Sequence, residues 1–74
     1  MLSEVTIIFE PAEEGGFTAT IPELPGAVSE GETIEEAREM VLDAARELIS
    51  YRLEKALKLK HKGSVVQRAQ LSPG

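Results

Sequence analysis

The sequence predicts a two-layer α/β domain, of α+β type, in which one long helix packs on a small mixed sheet in the order β-β-β-α-β. Three observations predict it. Two stretches near the start alternate apolar and polar residues, as half-buried strands do. A Pro-Gly pair then marks a tight turn, and a capping motif opens a long segment free of glycine and proline. The 74 residues are 42% hydrophobic and 28% charged, which is typical of one folded domain. We expect that domain to occupy residues 1–70, with 71–74 frayed.

The first two strands are predicted to form an antiparallel hairpin. Ser3–Glu10 is rich in β-branched residues at alternating positions, and Pro11 is expected to end it. Phe17–Ile21 alternates again after a loop that contains two glycines. Pro25-Gly26 fits a type II turn, whose second central residue needs a positive φ. A short third strand over Ala27–Glu30 should follow.

A capping box predicts where the helix begins. The Thr33 side chain is expected to accept the Glu36 amide, and the Glu36 carboxylate to reach back to the Thr33 amide. No glycine or proline interrupts Ile34–Lys62, and Gly63 suits the position after the helix. Such a helix is roughly 40 Å long, longer than five-residue strands can cover. It should therefore kink near Ser50, or its second half should overhang the sheet.

A fourth strand is predicted after the helix. Ser64–Gln70 could return beside the first strand, parallel to it, through a right-handed crossover. The sheet order would then be 3-2-1-4.

The helix carries two apolar surfaces. At 100° per residue, the arc that should face the sheet comprises Ile34, Ala37, Val41, Ala44, Ala45 and Leu48. Arg52 falls in line with this arc, so the apolar arc ends there. A second line comprises Leu42, Ile49, Leu53 and Leu57. This line is either the edge of a wide core face or a surface that meets another helix. Because so short a chain without cysteine has a small core, we expect a homodimer or larger oligomer, through this line or an open sheet edge.

Charge is divided along the chain. Nine of the 13 acidic residues lie in residues 1–37, which contain no base, and all eight lysines and arginines lie in residues 38–74. The acidic half either keeps a small protein soluble or attracts a basic partner. We do not expect direct nucleic-acid binding, because the chain is acidic overall, with a net charge of −5. A weaker alternative is a nucleic-acid-associated regulator that uses the basic end of the helix.

The residue inventory favours binding over catalysis. His61 is the only histidine and there is no cysteine, so a Cys-based metal site, a site of two or three histidines within one chain and a Cys nucleophile are excluded. The serines have no His–acid framework around them. Neighbouring glutamates on a helix point about 100° apart and do not form a carboxylate pair. We therefore expect no enzyme, no metal and no cofactor. With no secretory signal and no membrane-spanning run, a cytoplasmic location is expected.

The stretch Phe17–Ala37 contains a Pro-Glu-Leu-Pro-Gly turn and, after a short strand, Gly-Glu-Thr-Ile-Glu-Glu-Ala at the helix start. In these motifs it resembles the HicB-like antitoxin family. That family has an aromatic residue, one variable residue and alanine, then a Pro-acid-Leu-Pro-Gly turn. A strand follows, and then Gly-acid-Thr, an aliphatic residue and Glu-Glu-Ala at the start of a helix. The matching positions here are Phe17, Ala19, Pro22–Gly26, Gly31–Thr33 and Ile34–Ala37. Ala27 stands where members commonly have cysteine.

The resemblance implies a truncated ribonuclease-H-like fold without that enzyme's active carboxylates. It also implies a protein that binds and neutralises a small basic RNA-cleaving toxin of the HicA type. We expect a short, single-domain member without the C-terminal DNA-binding domain of many relatives. The charges expected to steer the toxin are Glu13, Glu14, Glu23, Glu30 and Glu32. The alternative is a solitary oligomeric scaffold or adaptor domain without a toxin partner.

Overall fold

The computed structural model describes residues 4–70, which form a three-stranded antiparallel sheet with a long helix on one face. The strands are β1 (Ile8–Pro11), β2 (Phe17–Thr20) and β3 (Val28–Gly31), and the helix α1 is Ile34–Lys58. β2 lies in the middle and pairs with both neighbours. The predicted hairpin, third strand and helix are confirmed, with β2 and β3 within one residue of the expected bounds.

β1 is shorter than the predicted strand over Ser3–Glu10. Ile8 pairs with Thr20, the last residue of β2, so the residues before Ile8 run past the end of the neighbouring strand and have no ladder to join. Ser3 itself lies outside the described residues. At its other end β1 includes Pro11, so the prediction that Pro11 lies just after the strand is wrong by one residue. An edge strand tolerates proline, since its missing N–H group can face away from the sheet.

The predicted Pro25-Gly26 turn joins β2 to β3. The Ala27 N–H group donates to the Leu24 carbonyl at 3.0 Å. Gly26 has a φ of +98°, in the left-handed region that a type II turn requires at this position. The Ile21 N–H group donates back to the Ala27 carbonyl at 3.2 Å. The residues that flank the turn, Ile21 and Ala27, are thus joined by a hydrogen bond, and both side chains are buried in the core.

The capping box forms with one difference from the prediction. The Thr33 hydroxyl oxygen accepts the Glu36 N–H group at 3.0 Å, as expected. The Glu36 carboxylate, however, accepts the Glu32 N–H group at 2.8 Å rather than that of Thr33. Thr33, the N-cap, is extended, with φ −127° and ψ 164°. The Glu36 carboxylate therefore binds the residue that precedes the N-cap instead of the N-cap itself.

The core between the sheet and the helix is small and mostly alanine. Its buried residues are Ala19, Ile21, Ala27, Ala37, Val41 and Ala45. Half-buried side chains pack around them, namely Ile7, Phe9, Phe17, Leu24, Leu42 and Leu48. Small side chains at the centre let the helix approach the sheet closely.

The predicted sheet-facing arc is correct except at its first position. Ala37, Val41 and Ala45 are buried, and Ala44 and Leu48 are half-buried. Ile34, however, is 48% exposed. It is the first residue of α1, and helical side chains point toward the N-terminus, so it projects past the part of the helix that the sheet covers.

The second half of α1 overhangs the sheet without a break in the helix. Every residue from 49 to 58 is exposed. The helix ends at Lys58, four residues before the predicted Lys62, and its cap is Leu59. Gly63 has the expected positive φ of +95°, but in a separate turn, where the Ser64 N–H group donates to the His61 carbonyl at 3.0 Å.

The predicted fourth strand is wrong within the described part of the chain. Residues 64–70 form no strand and are all exposed. A 25-residue helix carries the chain about 37 Å, whereas four-residue strands span only about 13 Å. The chain therefore leaves the helix far beyond the sheet, which is antiparallel rather than mixed. The order 3-2-1-4 is thus corrected to three strands, and the ribonuclease-H-like fold stays a prediction. The expected frayed end, 71–74, lies outside the described residues.

Candidate functional site

An open groove of about 610 Å³ lies at one end of the sheet. The β1–β2 loop, the end of β3 and the first turn of α1 form its walls. Its acidic lining residues are Glu13, Glu14, Glu30, Glu32 and Glu36, and half-buried Phe17 adds an aromatic ring. The structure thus brings together four of the five glutamates predicted to steer a basic partner, and adds Glu36, which the sequence marked only as a capping residue.

Glycines build the walls of this groove. The loop closes where the Ala12 N–H group donates to the Gly16 carbonyl at 3.0 Å. Gly16 has a φ of +76°, and a Cβ there would lie 2.6 Å from the carbonyl oxygen of Gly31. A Cβ on Gly31 would in turn lie 2.5 Å from the backbone nitrogen of Ala37. Loop, strand and helix therefore meet by direct backbone approach, which only glycine permits.

Within residues 4–70, no lysine, arginine or histidine forms a salt bridge with a glutamate of the groove. The salt bridges in that range are Arg46–Asp43 at 3.5 Å and Lys58–Glu54 at 3.4 Å, and both lie on α1 away from the groove. The Glu36 carboxylate accepts one backbone amide, and the glutamates of the loop and of β3 point into solvent. Such a surface attracts cations and basic groups.

Glu23, the fifth predicted steering charge, lies at the opposite end of β2 and has a structural role. Its carboxylate accepts the Thr6 hydroxyl at 2.6 Å and the Thr6 N–H group at 2.9 Å. These hydrogen bonds, the hydroxyl first, lower the pKa of Glu23. They join the segment before β1 to the turn that follows β2.

Three of the four residues predicted to form the oligomer interface are exposed, and the fourth is not. Leu42 is half-buried and packs on the core, so it belongs to the edge of the core face. Ile49, Leu53 and Leu57 are 39%, 50% and 39% exposed. They lie on the overhanging half of the helix, in a stretch whose residues, 49–58, are all exposed.

Arg52 has a role that the sequence analysis missed. Its guanidinium donates to the Pro25 carbonyl oxygen at 2.6 Å, and a Cβ on Gly26 would lie 3.3 Å from the same guanidinium. Arg52 thereby joins the middle of α1 to the turn between β2 and β3. The available signal was its position in line with the sheet-facing arc, which we took only as the end of that arc.

Residues 4–70 contain neither a membrane-spanning helix nor a cluster of metal-binding side chains. No helix there is long and apolar enough to cross a membrane. No group of three or more histidine, cysteine or acidic side chains in the same range is placed to hold a metal ion. His61 lies in the exposed turn after the helix. Its backbone N–H group donates to the Ser64 hydroxyl oxygen at 2.9 Å.

Fold and groove together define a small α+β domain with an acidic surface groove. Residues 5–73 match the family model described as the HicB-like antitoxin of bacterial toxin-antitoxin systems, and the chain belongs to that family. It is 44% identical over 54 residues to UPF0150 protein ssl0738 of Synechocystis sp., covering 73% of this chain and 75% of that protein. It is 39% identical over 61 residues to Antitoxin HicB 1 of Photorhabdus laumondii, covering 82% of this chain but 39% of that longer relative.

Proposed function

We propose that this protein is a cytoplasmic antitoxin that binds and neutralises a small basic RNA-cleaving toxin of the HicA type. Membership of the antitoxin family supports the role, and a relative carries the name Antitoxin HicB 1. The observation that carries the proposal is the groove, in which five glutamates surround one aromatic ring without a basic partner among the described residues.

The groove suits a basic protein for two physical reasons. Clustered carboxylates raise the rate at which an oppositely charged surface arrives, and this effect weakens with salt. Phe17 is half-buried and lines the groove, where it offers the apolar contact that supplies most of the affinity in protein interfaces. The protein acts by occupying the toxin and performs no chemistry itself.

The test is co-expression with any short basic protein that a neighbouring gene encodes, followed by pull-down and measurement of association rates across salt. Expression of this protein should also rescue growth during toxin expression. The variant Glu13→Gln/Glu32→Gln removes two groove charges. The matched control Glu10→Gln/Glu47→Gln removes two exposed charges outside the groove. At low salt, the groove variant should associate several-fold more slowly than the control.

Equal rates for the two double variants would remove the groove from the proposal. Absence of any complex and of growth rescue would reject the antitoxin role. It would favour the second candidate, an oligomeric scaffold or adaptor domain, which the exposed Ile49, Leu53 and Leu57 support.

We also propose that the protein associates with itself, as a homodimer or larger. Ile49, Leu53 and Leu57 are 39%, 50% and 39% exposed on the second half of α1, and a second copy of the chain could cover this apolar surface.

A further inference from the structure

The overhanging half of α1 defines how two copies would meet, an inference that rests on the proposed self-association. We infer that two copies pair antiparallel along the line of Ile49, Leu53 and Leu57, with the basic end of each helix beside the acidic start of its partner. The line is exposed over two turns of a helix that has left its own sheet.

The spacing of the line suits an antiparallel pair. When Ile49 of one copy lies opposite Leu53 of the other, Leu57 is level with the partner's residue 45, between the partner's Leu42 and Ile49. Leu42 is half-buried at the edge of the core. The apolar residues of the two lines thus meet one another, with the partner's Arg46 close to Leu57. The helix ends then overlap the partner's first half instead of extending into solvent.

Charge selects this orientation over the parallel one. Toward the helix start, the line continues into Glu39 and Glu35, which lie within about 45° of it at 100° per residue. Beyond Leu57 the chain continues into Lys60 and Lys62, which are exposed. An antiparallel pair places these lysines beside the partner's glutamates. A parallel pair would place lysines beside lysines, which is unfavourable.

One cation lies on the line itself and does not oppose this arrangement. Arg46 is placed between Leu42 and Ile49, and its guanidinium is already paired with Asp43 at 3.5 Å. Both side chains are largely exposed, at 71% and 75%. The long side chain of Arg46 can therefore keep its charged end in water while its stem contacts the partner.

Sedimentation of the full chain is the first test. The wild type should be dimeric at micromolar concentration, and Leu53→Glu should shift it to the 8.0 kDa monomer. Met40→Glu is the matched control, because Met40 is 49% exposed and Leu53 50%, but Met40 lies on another side of the helix. Far-UV circular dichroism checks that both variants keep the helix. A monomeric wild type overturns both self-association and this arrangement. Equal loss of dimer in the two variants overturns the use of this line.

Cross-linking tests the orientation separately. The described residues contain no cysteine, and neither does the rest of the sequence, so each introduced thiol is the only one. Ile49 and Leu57 are equally exposed, at 39%. In the antiparallel pair, the two Ile49 positions lie about 6 Å apart along the axis and the two Leu57 positions about 18 Å. A short thiol-specific cross-linker should join Ile49→Cys and not Leu57→Cys. Equal cross-linking of both would show a parallel pair and overturn the inference.

A charge exchange completes the test. Lys62→Glu should raise the dimer dissociation constant several-fold at low salt, and adding Glu39→Lys in the same chain should restore it. If the second substitution weakens the dimer further, the two residues are not opposed and the orientation is wrong.

Discussion

Gly31→Ala tests the close contact on which the groove and the helix start depend. A Cβ at this position would lie 2.5 Å from the nitrogen of Ala37, and 2.9 Å from both its Cα and the carbonyl carbon of Glu36. All three atoms are backbone, so no side-chain rotation relieves the overlap. The first turn of α1 must move by about 1 Å to restore ordinary contact.

The expected cost follows from that displacement. Overpacking of this kind costs about 1–3 kcal/mol, and disturbing the Thr33 cap adds about 1 kcal/mol. We therefore expect the free energy of unfolding to fall by roughly 2–4 kcal/mol, which approaches the whole stability of so small a core. Urea unfolding followed by far-UV circular dichroism measures it, and the melting temperature should fall by about 10 °C or more.

Gly15→Ala is the control for this experiment. Gly15 has a φ of +102° and nothing within 4 Å of an added Cβ, so alanine there costs only backbone strain, about 1 kcal/mol. If Gly31→Ala loses no more stability than Gly15→Ala, the helix start is not held by backbone contact and the reasoning is refuted.

Three further substitutions test single interactions. Thr33→Ala should lower the free energy of unfolding by about 1 kcal/mol, while Thr33→Ser keeps the cap; equal urea midpoints for the two would contradict the capping role. Arg52→Met should cost about 1 kcal/mol, because it removes the donor to the Pro25 carbonyl but keeps the stem; an unchanged urea midpoint would show that this hydrogen bond is not stabilising. Since the folded-state pKa of Glu23 is lowered, its contribution is present at neutral pH and is lost as pH falls below the unfolded value and through the folded one. Glu23→Gln should thus destabilise the protein at pH 7, and the difference should shrink at acid pH; a difference that grows on acidification would refute the assigned hydrogen bonds.

Local rules in the sequence predicted those parts of the fold that depend on neighbouring residues. Alternation predicted the hairpin, the Pro-Gly pair predicted the turn, and the capping box predicted the helix start. The same rules failed where the outcome depends on how far an element extends. The fourth strand is wrong because the straight helix carries residues 64–70 beyond the sheet, and β1 is short because its neighbour ends at Thr20.

The sequence predicted which type of residue forms the candidate site, but it did not predict which of those residues the fold brings together. Counting charges identified the acidic half, but it could not separate Glu23, held by Thr6, from the glutamates of the groove. Only the close approach of Gly16, Gly31 and Ala37 brings loop, strand and helix together. That approach depends on tertiary distances which no pattern of residue types specifies.

The alanine-rich core has a calorimetric consequence. Unfolding raises the heat capacity mainly through the apolar surface that it exposes, and four of the six buried residues are alanines. A single copy should therefore unfold with a small heat-capacity increment, so that its stability changes little between cold and moderate temperature and its melting transition is broad. Pairing of the exposed leucines would add apolar area to the same transition. It would make the melt sharper and shift it upward with protein concentration.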